Sequence, residues 1–286
     1  RQQLGELCGS SFWVFLSQRF QLLHPDDERF AAEIEKSIYN IGIANQDGAA
    51  GFRYHTILEG KKERSTHENT CCEGQGTRLI GSLPEHIYSI ASDGIYVNLY
   101  EPSTIRWEQY GHPLALTVMT RFPFENQVRA IVRVAAPAHA NIRVRVPSWA
   151  CSNMQIKVNG KTEDTGNPGT YVALSREWSD GDSIEFTLPA SIHVKRYDGA
   201  DQIAGKTRYS IEYGPILLVA VGESRVDLSI ETGKAGDLAN YLEPVADSPL
   251  HFTIRGNPGQ RLMPYWQVST EKFTGYPTIT VRHPLS

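Results

Sequence analysis

The chain is poor in sulfur: its 286 residues include four cysteines and three methionines. Four cysteines in a chain this long do not make a disulfide framework, which belongs to short secreted domains with small cores. An excess of one charge is also missing. Lys and Arg number 28 against 32 Asp and Glu, a net charge of −4, and the two signs are scattered. There is no basic stripe, so the electrostatic footprint of a nucleic-acid partner is excluded. No apolar run approaches the roughly 18 residues that would cross a bilayer as a helix. Internal repeats and low-complexity linkers are absent too. The opening residues, Arg1-Gln2-Gln3-Leu4, contain neither Met nor a signal-peptide pattern. The expectation is a segment from inside a longer protein, whose compartment this chain does not reveal.

What is present is ordinary globular composition, 40% hydrophobic and 21% charged, ample for a core and for two or three domains. The pattern changes near residue 93. Before it, the spacing is helical. Phe12, Leu16 and Phe20 step by four, and Trp13, Phe15 and Leu23 widen them into one apolar face, with Ser10 or Ser11 as cap. Pro25-Asp26-Asp27-Glu28 opens a second helix, facing inward through Phe30, Ala31, Ile34, Ile38 and Tyr39. A third is predicted over 77–91, with Pro84 at a kink or a first turn. After Asp93-Gly94 the period becomes two. Short alternating runs at 95–99, 114–121, 128–134, 142–146, 154–158 and 184–188 are punctuated by Asn159-Gly160, Asn167-Pro168-Gly169 and Asp180-Gly181-Asp182. Such strands predict an antiparallel β-sandwich. Residues 211–221 are apolar enough for a strand through a core, and 252–281 supply more. The fold class is therefore mixed and mainly β: a helical piece, then one or two sandwiches.

Three of the four cysteines sit in two polar segments. Gly5-Glu6-Leu7-Cys8-Gly9 is one; His67-Glu68-Asn69-Thr70-Cys71-Cys72-Glu73-Gly74-Gln75-Gly76-Thr77-Arg78 is the other. Three thiols and a carboxylate suffice for one tetrahedral zinc site. A Cys71–Cys72 disulfide would close a strained eight-membered ring, so the pair is expected to be reduced, metal-bound or catalytic. Residues two apart on a helix point roughly 200° apart, so Glu6 and Cys8 are expected in a loop ahead of the first helix. Cys71 and Cys72 likewise need a turn, which Gly74 and Gly76 permit. The plainer reading is buried structural cysteines, and the glycine-bracketed polar setting argues against it. Cys151 reads as a core or surface thiol. His55, His67 and His86 read as structural or solvated histidines, and the Trp and Tyr residues of the β part as core and rim.

Glu-x-Cys ahead of an aromatic-rich helix, with a downstream Cys-Cys pair, resembles glycoside hydrolase family 127, the β-L-arabinofuranosidase family. The stretch from Cys71 to Ser89 is the most specific part; Val146-Pro147-Ser148-Trp149, Val158-Asn159-Gly160, Trp178-Ser179-Asp180-Gly181-Asp182 and Tyr213-Gly214-Pro215 are weaker pieces. The resemblance spans the chain and covers the last part of the family's length. It implies the closing helices of an α/α barrel in 1–92 and two antiparallel β-sandwich domains, in 93–197 and 198–286. It implies zinc held by Glu6, Cys8, Cys71 and Cys72, with Cys71 as nucleophile and Tyr54 near the sugar. The partner implied is a carbohydrate, a β-L-arabinofuranoside or related plant-type glycan. The family's acid/base glutamate would precede Glu6 and fall off this chain, leaving it inactive alone. The turn reads Cys-Cys-Glu-Gly-Gln-Gly, not Cys-Cys-Pro-Pro, which marks a different branch. Two other readings stand beside this one: a non-catalytic carbohydrate-binding or structural β-sandwich module, and a structural zinc site in an enzyme that uses carboxylates. A homodimer is left open.

Overall fold

The computed structural model describes residues 4–48, 51–62, 70–199, 202–222 and 227–282. Among these residues, four α-helices and many short strands make a mainly β chain. The helices are α1 (Leu7–Leu23), α2 (Glu28–Ser37), α3 (Cys71–Gly81) and the single turn α4 (Pro84–Ile87). A π-helical turn, Ile38–Ile43, continues α2. Among the described residues no helix is long and apolar enough to cross a membrane. The chain packs as two compact units. One comprises Arg1–Phe12, Lys36–Ile80 and Ile192–Ser286; the other comprises Trp13–Glu35 and Gly81–Ser191.

The second unit contains a sandwich. One sheet has six strands, ordered Lys161–Gly166, Met154–Val158, Ser183–Thr187, Gln127–Val134, His112–Thr120 and Ser103–Gln109. The other has four, ordered Thr170–Trp178, Ala138–Val146, Gly94–Val97 and Tyr88–Ala91. Alternation decides which face is inside. Val128, Ala130, Val132 and Val134 are buried, while Gln127 before them and Arg129 and Arg133 between them are exposed. The register sets apolar beside apolar: Leu116 opposite Val132, Val118 opposite Ala130, Ile142 opposite Leu174. Asn159 and Gly160, both at positive φ, close the hairpin between 154–158 and 161–166, as that dipeptide does in two-residue turns.

Three sequence expectations change here. Gly94–Val97 runs parallel, not antiparallel, to Ala138–Val146. Three strands of the six-stranded sheet lie between them in sequence, so the chain returns in its original direction. The predicted helix over 77–91 ends at Gly81, and Pro84 opens the short α4. Tyr88–Ala91 is a strand, drawn into a hairpin by its antiparallel partner Gly94–Val97. The outward seam of α1 is the third. Trp13, Leu16, Phe20 and Leu23, predicted to point inward, are 46%, 46%, 40% and 70% exposed, while Val14, Ser17 and Gln21 are buried. The Gln18 side chain donates to Glu85 O at 3.3 Å from this helix.

Arg145 is fully buried in the second unit and is met by two carboxylates of α2. Its Nε donates to Glu28 Oε1 at 2.7 Å, one terminal nitrogen to Glu35 Oε2 at 2.9 Å, and the other to Asn98 O at 2.9 Å. Trp149 Nε1 donates to Glu35 Oε2 at 2.7 Å, and Ser148 N to Glu28 Oε1 at 3.2 Å. Burial alone would lower the guanidinium's pKa, but Glu35 and Glu28 outweigh it and hold it above the ordinary value. A buried charge group of this kind stabilises only while it is complete. Arg145→Met is expected to cost about 3–5 kcal/mol in urea unfolding, by leaving two carboxylates unpaired. Adding Glu28→Gln and Glu35→Gln should recover most of that loss; failure of the triple variant to recover would show that packing, not charge, is at stake.

The first unit is built on a larger sheet. Its main path is Ile192–Arg196, Tyr209–Tyr213, Ile216–Val221, Asn257–Pro264, Phe252–Ile254 and Leu242–Pro244, with Lys272–Thr274 and Glu59–Lys61 added beside it. The apolar run 211–221 is not one strand. Gly214, at φ 55°, and Pro215 fold it into a hairpin, because Pro has no N–H for a ladder. Val219, Val221, Met263, Tyr265, Val268 and Phe273 form a core with Ala44.

Lys62 is buried against that core. Its ammonium donates to Ala44 O at 2.9 Å and Tyr265 O at 2.7 Å and lies 4.0 Å above the Tyr265 ring. Burial, with the Arg53 guanidinium adding, pulls its pKa down to about 7. Between that value and the unfolded lysine's roughly 10.4, the unfolded chain holds more protons, so this group makes stability rise with pH. Lys62→Met should flatten the stability-versus-pH curve across that window in chemical denaturation. An unchanged slope would refute the assignment.

Candidate metal centre

The site residues lie in the first unit. Strand Leu4–Glu6 pairs antiparallel with His55–Ile57, setting Glu6 opposite His55. The chain then turns directly into α1, where Leu7 N donates to Tyr54 O at 3.1 Å. Glu6 is the last residue of a strand and Cys8 lies in the first turn of a helix. The expected loop is replaced by a strand-to-helix junction. That change of geometry brings the side chains together: Cys8 Sγ lies 3.4 Å from Glu6 Oε2.

Cys71 and Cys72 open α3 rather than a glycine turn. Thr70 caps the helix, its hydroxyl accepting from Glu73 N at 3.2 Å. The Thr70-x-x-Glu73 spacing is a capping-box pattern readable in the sequence, and it is the signal that would have placed a helix start here. Gly76 then sets the depth of packing. A Cβ there would lie 2.5 Å from the Phe52 ring and 2.8 Å from Leu7, so α3 approaches the root of α1 closer than any side chain would allow.

The result is a cluster. The Sγ atoms of Cys8, Cys71 and Cys72 all lie within 4.8 Å of one another. Cys72 is buried, Cys8 half-buried and Cys71 exposed. Cys8 N donates to Cys72 Sγ at 3.4 Å, so an N–H of the α1 amino end points at a thiol of the α3 amino end. Both helix starts favour negative charge on sulfur. Tyr54 OH stands 3.7 Å from Cys71 Sγ, and its ring is 4.6 Å from that of His55. The Tyr54 hydroxyl holds the Cys71 thiol below its ordinary pKa, with Cys8 and Cys72 adding. Cys71 in turn raises Tyr54 to about 12. Burial pushes Cys8 up to about 12, helped by hydrogen bonds with Cys72 and Glu6.

This donor set suits a soft or borderline divalent ion. A tetrahedral ion with metal–sulfur bonds near 2.3 Å puts its sulfurs about 3.8 Å apart, and a carboxylate oxygen about 3.5 Å from sulfur. The Glu6–Cys8 contact of 3.4 Å matches the second spacing, and the three sulfurs, within 4.8 Å of one another, are at most about 1 Å wider than the first. The other predicted residues fall elsewhere. Cys151 is an exposed free thiol. His86 is buried in the second unit, within 3.3 Å of Ser82 Oγ. His67 lies outside the described residues.

The described residues share their fold with several solved structures. One titled "Glycoside hydrolase" gives a TM-score of 0.79 at 18% identity, over 97% of this chain and 52% of that one. The GH127 beta-L-arabinofuranosidase of Geobacillus stearothermophilus T6 gives 0.77 at 22%, over 97% of this chain and 50% of that one. A GH127 beta-arabinofuranosidase gives 0.74 at 20%, over 98% and 50%. The chain thus spans about half the length of these structures. Residues 94–190 match the family model described as the beta-L-arabinofuranosidase, GH127 middle domain. The match covers about a third of the chain and names the family that the sequence resembles. A search of curated proteins gives no match.

Titration with cobalt or cadmium should show one equivalent bound, with a sulfur-to-metal absorption band. Cys8→Ser and Cys72→Ser should each weaken binding by at least about 100-fold, the upper end of what loss of a merely supporting group costs. Cys151→Ser should leave it unchanged. Equal binding by all three variants would place the metal elsewhere.

Proposed function

We propose that the chain is the C-terminal part of a zinc-dependent, retaining glycoside hydrolase acting on β-L-arabinofuranosides or related glycans. The observation that carries this reading is the exposed thiol of Cys71 within 4.8 Å of two other thiols, at the start of a helix, in a chain with a GH127 segment. Cys71 is the proposed nucleophile. Glu6, Cys8, Cys71 and Cys72 are the proposed ligands, and the helices α1 to α4 are read as the closing part of an α/α barrel.

Most retaining glycosidases attack the anomeric carbon with a carboxylate. Here a thiolate takes that place. A free thiol is only slightly ionised at neutral pH, and bound zinc would supply the missing acidity by favouring the deprotonated ligand. The residues do the rest. The amino ends of α1 and α3 stabilise negative sulfur, and the strand pair holds Tyr54 beside Cys71, where its hydroxyl can bond to sulfur or to a sugar oxygen. Cys71 displaces the aglycone, and the S-glycosyl bond is then hydrolysed. The acid/base that protonates the leaving group is assigned to a glutamate preceding Glu6, so this segment alone is expected to be inactive.

The test is made in the full-length protein with an aryl β-L-arabinofuranoside. Cys71→Ser should bring turnover to background while the fold, read by circular dichroism, persists. Undiminished turnover would exclude Cys71 as nucleophile and favour a structural metal site. Loss of the fold is separated by Cys71→Ala, and mass spectrometry of a trapped glycosyl adduct on Cys71 decides independently.

A further inference from the structure

The three thiols have unequal access, and this gives them a second chemistry. Cys71 is exposed, Cys8 half-buried and Cys72 buried. An oxidant arriving from solvent therefore meets Cys71 first. Cys72 is a poor partner for it. Adjacent residues on a helix point about 100° apart, and a bond between them closes an eight-membered ring that the first turn of α3 cannot contain. Cys8, on the other helix, is the remaining thiol within 4.8 Å. A disulfide of about 2.05 Å requires the two sulfurs to close by less than about 3 Å. A side chain added at the neighbouring Gly9 would meet nothing within 4 Å, so the first turn of α1 is not packed against other groups on that side.

We propose that Cys8 and Cys71 form a peroxide-oxidisable pair, and that the disulfide and the metal-bound states of the centre exclude each other. The chemistry is a two-electron oxidation by a hydroperoxide. The Cys71 sulfur attacks the O–O bond, gains one oxygen as a sulfenic acid, and the peroxide leaves as an alcohol, or as water from hydrogen peroxide. The Cys8 sulfur then attacks Cys71, the S–S bond forms, the S–O bond breaks, and hydroxide departs with the thiol proton as water. Two of the three sulfur donors are removed at once, and a dithiol reductant restores them. This pairing does not depend on the glycosidase reading.

The test treats the purified, metal-loaded protein with hydrogen peroxide. Cross-links are mapped by mass spectrometry of unreduced peptides, and bound metal is measured by elemental analysis. The expected result is a Cys8–Cys71 peptide pair that accumulates in proportion to metal released, both reversed by dithiothreitol. Cys72→Ser should keep the cross-link. Cys8→Ser should lack it and hold Cys71 as a sulfenic acid that a dimedone probe captures. A Cys71–Cys72 cross-link, an intermolecular one through Cys151, or no cross-link in metal-stripped wild-type protein would each overturn the proposal. The wild-type map decides alone if a variant does not fold.

Discussion

The site depends on one close approach: α3 resting on the root of α1 at Gly76. A side chain there would collide with Phe52 and Leu7. With glycine in place, two helix amino ends converge on one spot. Each carries unsatisfied N–H groups and the positive end of a dipole. The groups best placed to answer that field are electron-rich, and the sulfurs of Cys8, Cys71 and Cys72 are gathered there, with the Glu6 carboxylate against Cys8. Residues more than 60 positions apart in sequence are thereby made neighbours, as the spacing of Cys8 and Cys72 shows.

The sheet of the first unit keeps that approach in register. Strand His55–Ile57 carries the load on one side, because it pairs with Leu4–Glu6 and immediately follows Tyr54. It is tied down in turn. Tyr265 donates from its hydroxyl to Ile57 O at 2.8 Å, and Asn45 donates to the Thr56 hydroxyl at 2.7 Å. Lys62 then joins Tyr265 to Ala44. Segments near residues 45, 56, 62 and 265 are thus fastened as a group behind the cluster. The chemistry-bearing residues come from the first eighty positions, while their support comes from far along the chain.

Much of this was legible in the sequence. Alternation named the strands of the sandwich within a few residues, since a half-buried strand produces a period of two with charged outer positions and a helix does not. The members of the cluster were legible as well, because Cys and Glu in glycine-bracketed polar segments seldom serve a core. Their local conformation was not. Helical spacing argued that Glu6 and Cys8 could not share a face, but the junction between a strand and a helix has no single period. The Cys71-Cys72 pair looked like a turn because of Gly74 and Gly76, whereas Thr70 marks a helix start. Tyr88–Ala91 shows tertiary pairing overriding a helical pattern, and Gly214-Pro215 shows a turn hidden in an apolar run. Arg145 gave no sign in advance: its neighbour positions read as an ordinary strand, and its carboxylate partners lie more than 100 residues away.

The outward seam of α1 has a consequence for how the molecule behaves in bulk. Trp13, Leu16, Phe20 and Leu23 put large apolar side chains in one line on the surface. Contiguous apolar surface invites association, and a net charge of −4 on 286 residues supplies little colloidal repulsion. Sulfate and phosphate strengthen the burial of apolar surface. Concentrated stocks in such buffers would therefore tend to self-associate through this helix, and dilute, low-salt solutions are the conditions in which the chain stays dispersed.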